Sequence, residues 1–360
     1  MTVSVTVEHR ESTPSWLRYT APLLTGALAL LVAAVPLLVL NVNPVEAYLV
    51  LFVGTLLSPS GIVNTLVTAV PLFLTGLAVY IPYRAGLWNL GAEGQLFFGA
   101  VAGTFVGVNA DFSAPVLLGL MFVASGIVGG LYGAIPGYLR AKHDVNEIIT
   151  SLMLSLAAVS LTHYLVRGPM QGSGGSAATE SLPEAALVPT VFSPRLHVGV
   201  VLLVVVAACI AVLMNHTSLG FRISFVGANV GAARQSGISE YRTYLVVFVL
   251  GGVLAGVAGI VEVAGVYGRL FEGFSPGYGF TAVAVALLGR NGVTRVLAAA
   301  LFFGLLQTGG SSLAILMDVP TALVDVIVAL IILFILTAEF FKTHRIDLRT
   351  GRNTDREGVS

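Results

Sequence analysis

The segment Arg84-Ala-Gly-Leu-Trp-Asn-Leu-Gly-Ala-Glu-Gly-Gln95 concentrates the chain's most unusual chemistry. Asn89, Glu93 and Gln95 stand at the start of an otherwise apolar stretch, and Gly86, Gly91 and Gly94 free the backbone around them. A carboxylate inside a membrane span costs about 2.5–3.5 kcal/mol on insertion scales, so it needs water, a partner or a purpose. Two readings follow. Asn89, Glu93 and Gln95, with Gly91 and Gly94, line a polar translocation path or form its frame. Alternatively they cap a helix near the interface, with Glu93 favoured by the helix dipole or paired to Arg84. Neutral amides at this place suit an uncharged ligand better than an anion. The glycines do not make a phosphate loop, because Ala92 and Glu93 follow where Lys and Ser/Thr are required. Any ATP used by this protein is therefore expected to be bound by another subunit, and no cofactor is expected in this chain.

Other candidates are weaker. Glu262 and Asp325 fall at or within apolar runs, where a proton relay competes with a plainer position near headgroup water. Asp144, Asn146 and Glu147 open a helix and read as an N-cap followed by dipole-favourable acids. The six histidines are scattered without metal-ligand spacing, and no nucleophile–base–acid arrangement is visible, so neither an enzyme nor a metal site is expected. Cys209 is the only cysteine, which excludes a disulfide or thiolate site within the chain.

The elements that must position these residues are set by composition. Hydrophobic residues make up 56% and charged residues 10%, against about a quarter charged in soluble domains. Lipid solvates such an exterior, and water does not. Formal net charge is zero, so nucleic acid is not an expected partner. About 20 apolar residues cross the hydrocarbon core. Runs near 19–40, 61–81, 88–108, 114–138, 146–166, 197–214, 243–263, 296–316 and 322–341, plus a shorter one near 279–289, predict an all-α polytopic bundle of about ten spanning helices. The first run exceeds a signal-peptide core and lacks a clear A-x-A site, so it is read as a spanning helix. The segment 45–57 is short and is placed at the interface. With both termini inside, only Arg167, Arg195 and Arg269, of 18 Lys and Arg, lie outside, as cytoplasmic enrichment of basic residues requires.

The domain reading is a cytoplasmic segment over 1–18, one transmembrane domain over 19–341 and a polar, mobile cytoplasmic tail over 342–360. An extracytoplasmic loop over 167–196 and a cytoplasmic loop over 215–242 divide the domain. Five helices on either side of the long outer loop suggest two inverted halves, with broken segments at 82–94 and 265–279 in matching places. Overlapping small residues at Gly126, Gly129, Gly130, Gly133 and Gly137, and at Gly252 and Gly256, predict close helix contacts.

Four blocks in order resemble the nucleoside and simple-sugar branch of ATP-binding-cassette (ABC) importer permeases, within the branched-chain amino acid and ribose-type permease family. They are Asn89-Leu-Gly-Ala-Glu-Gly-Gln95, Val145-Asn-Glu-Ile-Ile-Thr-Ser-Leu-Met-Leu154, Gly227-Ala-Asn-Val-Gly-Ala-Ala-Arg-Gln-Ser-Gly-Ile238 and Gly277-Tyr-Gly-Phe-Thr-Ala-Val-Ala-Val-Ala-Leu-Leu-Gly-Arg290. The chain departs from the family at Gly292-Val-Thr-Arg295, where Asn, Pro and Leu-Gly often follow. The resemblance implies an importer subunit in a prokaryotic plasma membrane. It implies as partners a second permease, a cytoplasmic ABC ATPase and an extracytoplasmic substrate-binding lipoprotein. It implies nucleosides as solute, with simple sugars as the alternative. It also implies an ATPase-coupling helix near 228–237, in which Ala232 and Ala233 pack into an ATPase groove and Arg222 and Arg234 pair with that subunit, with Asn229 and Gly237 bounding it. A stand-alone secondary transporter is the competing reading.

Overall fold

The computed structural model describes residues 2–9, 15–191, 193 and 195–351. Arg10, Pro194, Arg352, Arg356 and the end of the tail lie outside them. Along the chain run β1 (Thr2–His9), α1 (Ser15–Val39), α2 (Pro44–Tyr48), a π turn (Leu49–Gly54), α3 (Thr55–Leu57) and α4 (Pro59–Arg84). Next come α5 (Ala92–Asn109), α6 (Ala114–His143) and α7 (Glu147–Arg167). After a long loop follow α8 (Gly199–His216), α9 (Ser218–Ala228), α10 (Val230–Gln235) and α11 (Glu240–Glu262), which runs into a π segment (Val263–Tyr267). The last elements are α12 (Tyr278–Leu288), α13 (Val293–Leu316), α14 (Thr321–Thr343) and β2 (His344–Gly351).

Every apolar run read from the sequence is a helix. Among the described residues, six of them (α4, α6, α7, α8, α11 extended to Tyr267, and α13) are long and apolar enough to cross a membrane. The 18 residues of α5 have the length, but the polar first turn with Glu93 and Gln95 lowers its apolarity. The described residues form two compact units, Met1–Leu49 with Leu313–Ser360, and Val50–Ser312.

In the first unit α1 packs on α14. Asn43 caps α2 by accepting from Val45 N at 3.0 Å, and the Tyr48 hydroxyl donates to Leu30 O at 2.5 Å. β1 and β2 pair antiparallel, from Thr2 opposite Gly351 to His9 opposite His344. The tail beyond Lys342 is thus not free chain as far as Gly351. The alternation of Thr, Ser and Val in residues 2–7 favours a strand, and another strand satisfies its backbone.

In the second unit α11 is surrounded by α4, α5 and α6. The small residues read from the sequence meet there. A Cβ on Gly252 would lie 2.2 Å from Gly129 O, and one on Gly99 2.2 Å from Gly256 Cα. Backbones at that distance gain dispersion and weak Cα–H···O contacts, which replace the missing hydrophobic drive in lipid.

Candidate functional site

The turn 85–91 between α4 and α5 folds onto its own polar side chains. Asn89 Nδ2 donates to Ala78 O at 3.0 Å and to Gln95 Oε1 at 3.1 Å, while Gln95 Nε2 donates back to Asn89 Oδ1 at 3.2 Å. The same Oδ1 accepts from Gly91 N at 3.0 Å, closing an Asx turn. Both amides are almost wholly buried. Two serines of α7 hold the turn from the other side. Leu90 N donates to Ser151 Oγ and Gly94 N to Ser155 Oγ, each at 3.1 Å, and Ser155 Oγ donates to Leu90 O at 3.1 Å. Close approach explains the glycines. A Cβ on Gly91 would stand 2.9 Å from Asn89 Oδ1, and one on Gly94 2.7 Å from Ser155 Cα.

Glu93 does not cap its own helix and does not pair with Arg84. Its Oε2 accepts from Gly279 N at 2.5 Å, and its Oε1 from Ser275 Oγ at 2.7 Å. Ser275 Oγ in turn accepts from Gly277 N and Tyr278 N, both at 3.2 Å. Glu93 therefore serves the N-terminus of α12, where orphan N–H groups and the helix dipole favour an anion. The approach is backbone to backbone: a Cβ on Gly279 would be 2.1 Å from Glu93 N. The two broken segments expected at 82–94 and 265–279 thus meet, start of helix to start of helix, with one buried carboxylate at the junction.

Glu262 differs from its expected place near headgroup water. It is 2% exposed, accepts from the Tyr278 hydroxyl at 3.1 Å, and ends α11 where the helix loosens into the π segment. The chain then turns through Gly268, Gly273 and Gly277, all at positive φ (68°, 76° and 90°), before α12 begins. Only glycine adopts this backbone without strain. Asp325 is exposed on α14.

The long loop lies along this break. Thr179 N donates to Leu270 O and Leu182 N to Gly268 O, both at 2.8 Å, and Val188 N to Ala264 O at 3.0 Å. Arg167 Nε donates to Glu272 Oε2 at 2.7 Å, with His163 Nδ1 3.3 Å from Glu272 Oε1, and this ties the end of α7 to the same segment. In this loop Glu180 accepts from Ser173 N at 2.6 Å, which holds its carboxyl below the usual range. His197, just before α8, is 2% exposed with neither ring nitrogen hydrogen-bonded, and burial pushes its pKa down.

At the other end, the expected coupling region consists of two short helices. Thr217 caps α9, accepting from Gly220 N at 3.2 Å, and Asn229 caps α10, accepting from Ala232 N at 3.0 Å. Gly237, at φ 76°, ends the α10 turn, with its N–H donating to Arg234 O at 3.0 Å. Arg222 is exposed and Ala232 half-buried. Ala233 is fully buried against its own chain, because the turn folds it inward, so it shapes α10 rather than facing out. Arg234 is exposed but engaged, its Nε donating to Glu240 Oε2 at 2.9 Å. Asn146 is the N-cap of α7 as the sequence suggested, accepting from Ile148 N at 2.9 Å. Asp144 instead ends α6 and pairs with Arg140 at 2.7 Å. Arg140 also lies 3.3 Å from Glu147, whose Oε1 is 3.5 Å from Trp88 N.

The structure joins Asn89, Gln95 and Gly91 by hydrogen bonds and seats Gly94 against Ser155, while Glu93 turns away to Ser275 and Gly279. The sequence does not single out Ser151, Ser155, Ser275 and Tyr278, whose hydroxyls carry no local signature.

The family described as "Branched-chain amino acid transport system / permease component" matches residues 61–336. A glucose ABC transporter permease protein of Haloferax volcanii is 51% identical, over 98% of this chain and 96% of that one. A guanosine ABC transporter permease protein of Bacillus subtilis is 32% identical, over 87% and 92% respectively. A nucleoside ABC transporter permease protein of Lactococcus lactis is 31% identical, over 87% and 89%.

Proposed function

From the premise that this chain belongs to the family of branched-chain amino acid transport system permease components, we propose that its solute is small, neutral and hydroxyl-rich, a sugar first and a nucleoside second. The chain is the membrane-spanning permease subunit of an ABC importer and not itself an enzyme. It works in a membrane with an ATPase and a substrate-binding protein.

The observation that carries the solute reading is the carboxylate of Glu93 at the meeting of α5 and α12. Helix starts in broken transport helices attract anionic solute groups. Here that position is already filled by the protein's own anion, which repels a second one. An amino acid's carboxylate is disfavoured and a neutral polyol is not. The similarity to a glucose permease over nearly the whole chain supports sugar ahead of nucleoside. The amides Asn89 and Gln95, being mutually satisfied, act as the frame of the pathway in this state rather than as solute contacts.

The remaining assembly is part of the same reading. Two permeases pair, both termini and the 215–242 loop face the ATPase, and the 167–196 loop faces a lipoprotein that delivers solute. ATPase closure pushes on α9 and α10, with Arg222, Ala232 and Arg234 as contacts, and rocks the permeases between outward and inward access.

The test is uptake by vesicles holding the complex purified through this chain, with ATP inside and radiolabelled glucose, guanosine or leucine outside. ATP-dependent uptake of glucose, with guanosine weaker and leucine absent, is expected. Uptake of leucine overturns the neutral-solute reading. Uptake without ATP, by a chain that purifies alone, turns the assignment towards a secondary transporter.

A further inference from the structure

The inner loop and the polar turn are far apart in sequence, yet they touch at one place in the fold. Arg84, the last residue of α4, donates from Nη2 to Ser224 Oγ of α9 at 2.8 Å and from Nη1 to the Tyr80 hydroxyl at 3.3 Å. Directly behind this bond the backbones meet. A Cβ on Gly227 would stand 2.2 Å from Arg84 O and 3.1 Å from Ala85 C, and one on Gly86 3.7 Å from Gly227 Cα. Gly86 is at φ 79°, the left-handed backbone that lets the chain turn from α4 into the 85–91 segment.

We propose that Arg84 is a positioning residue for coupling: through Ser224, and with Gly227 seated against its carbonyl, it makes α9 and the 85–91 turn move together. The proposal rests on the importer reading, and it names the route by which a push on α9 and α10 reaches the frame of the pathway. Each link is a close contact. Only Asn229 separates α9 from α10, and its side chain caps α10, so the pair forms a lever without a flexible spacer. Arg84 and Gly227 join that lever to the turn. Within the turn Asn89 is fixed to Ala78 O and to Gln95, and Gln95 lies on the first turns of α5 beside Glu93, which holds α12. A displacement entering at Ser224 therefore reaches the starts of both broken helices through hydrogen bonds and backbone contact alone. Such contiguous networks carry coupling when the linked element has two arrangements. The half-exposed guanidinium and the glycines at Gly86 and Gly227 give this junction a bond that can break and a backbone that can bend.

The test uses the complex purified through this chain in vesicles, measuring ATP hydrolysis and uptake of labelled glucose or guanosine, whichever the wild type transports. Ser224→Ala and Arg84→Gln remove the side-chain tie, and Gly227→Ala forces the backbones apart. Each variant is expected to co-purify with the ATPase and to keep its ATP hydrolysis, while solute moved per ATP falls about fivefold. Arg84→Lys, which still donates to Ser224, is expected to recover most of that ratio. An unchanged ratio in both Ser224→Ala and Arg84→Gln overturns the proposal. A proportional loss of hydrolysis and uptake overturns it too, since that is what a merely structural role gives. If the wild type brings down no ATPase, the importer reading fails instead, and the two failures are distinguishable.

Discussion

Glu93 joins two elements with one side chain, and its chemistry sets how that junction responds to change. Both oxygens accept, from Ser275 Oγ and from Gly279 N. Glu93→Gln keeps the size but turns an NH2 towards one of those donors and removes the charge that strengthens both bonds. A lost charge-assisted hydrogen bond costs about 1.5–3 kcal/mol, so the thermal midpoint of the detergent-solubilised protein should fall. Equal midpoints for the two proteins would show that the junction does not carry load. His197 supplies a pH signature. Burial pushes its pKa below the ordinary value, so the unfolded chain takes up the proton first as pH falls. Stability is then complete above about 6.5, the unfolded value, and is lost as pH drops below it. The midpoint of the wild type should therefore decline from neutral pH towards acid, and His197→Phe should flatten that decline. At this scale the sequence was legible where partners are local. Asn146 was recognisable as a cap because the N–H groups it accepts from lie two and three residues on. Glu93 was recognisable as unusual, but its partners lie 182 and 186 residues away, and no local pattern encodes which helix start it will serve.

Among the elements, α6 and α11 depend on the absence of side chains. A Cβ on Gly252 meets Gly129 O at 2.2 Å and Gly130 Cα at 2.9 Å, whereas one on Gly126 finds Val253 Cγ1 at an ordinary 3.4 Å. Gly252→Val must push two backbones apart, and overpacking of this kind costs about 1–3 kcal/mol. Its monodisperse yield on size-exclusion chromatography should fall sharply, while Gly126→Ala stays near wild type. The helices were legible in place and type, because a run of about 20 apolar residues has few other solutions in lipid, but not in their ends: α5 begins at Ala92 rather than 88, and α6 runs on to His143 rather than 138. The small-residue spacing announced close contact without naming the partner helix. What periodicity did not reveal was the π segment after Glu262. Its cause is tertiary: Glu262 is held by Tyr278 from the next helix, and the 176–190 loop is hydrogen-bonded along the same stretch.

For the whole molecule, composition decides the class, and the distribution of Lys and Arg proposes the sides. Labelling checks this arrangement directly. With Cys209 replaced by serine, a cysteine placed at Ser173 should react with an impermeant maleimide added to intact cells, and one at Gly231 should react only after the membrane is opened. The reverse pattern would invert the arrangement, and reaction of both from outside would break the ten-span count. The bond between Glu93 and the start of α12 also bears on how the protein is made. A ribosome adding about 5–20 residues per second delivers Gly279 some 10–40 s after Glu93, given the 186 residues between them. Through that interval α5 carries a carboxylate whose helical donor is still unsynthesised. Until Gly279 is made, in the last quarter of translation, the eventual neighbours present to shield α5 are α4, α6, α7 and, later, α11. Substitutions that delay α12 should therefore appear first as degradation of half-made protein, before any effect on transport is measurable.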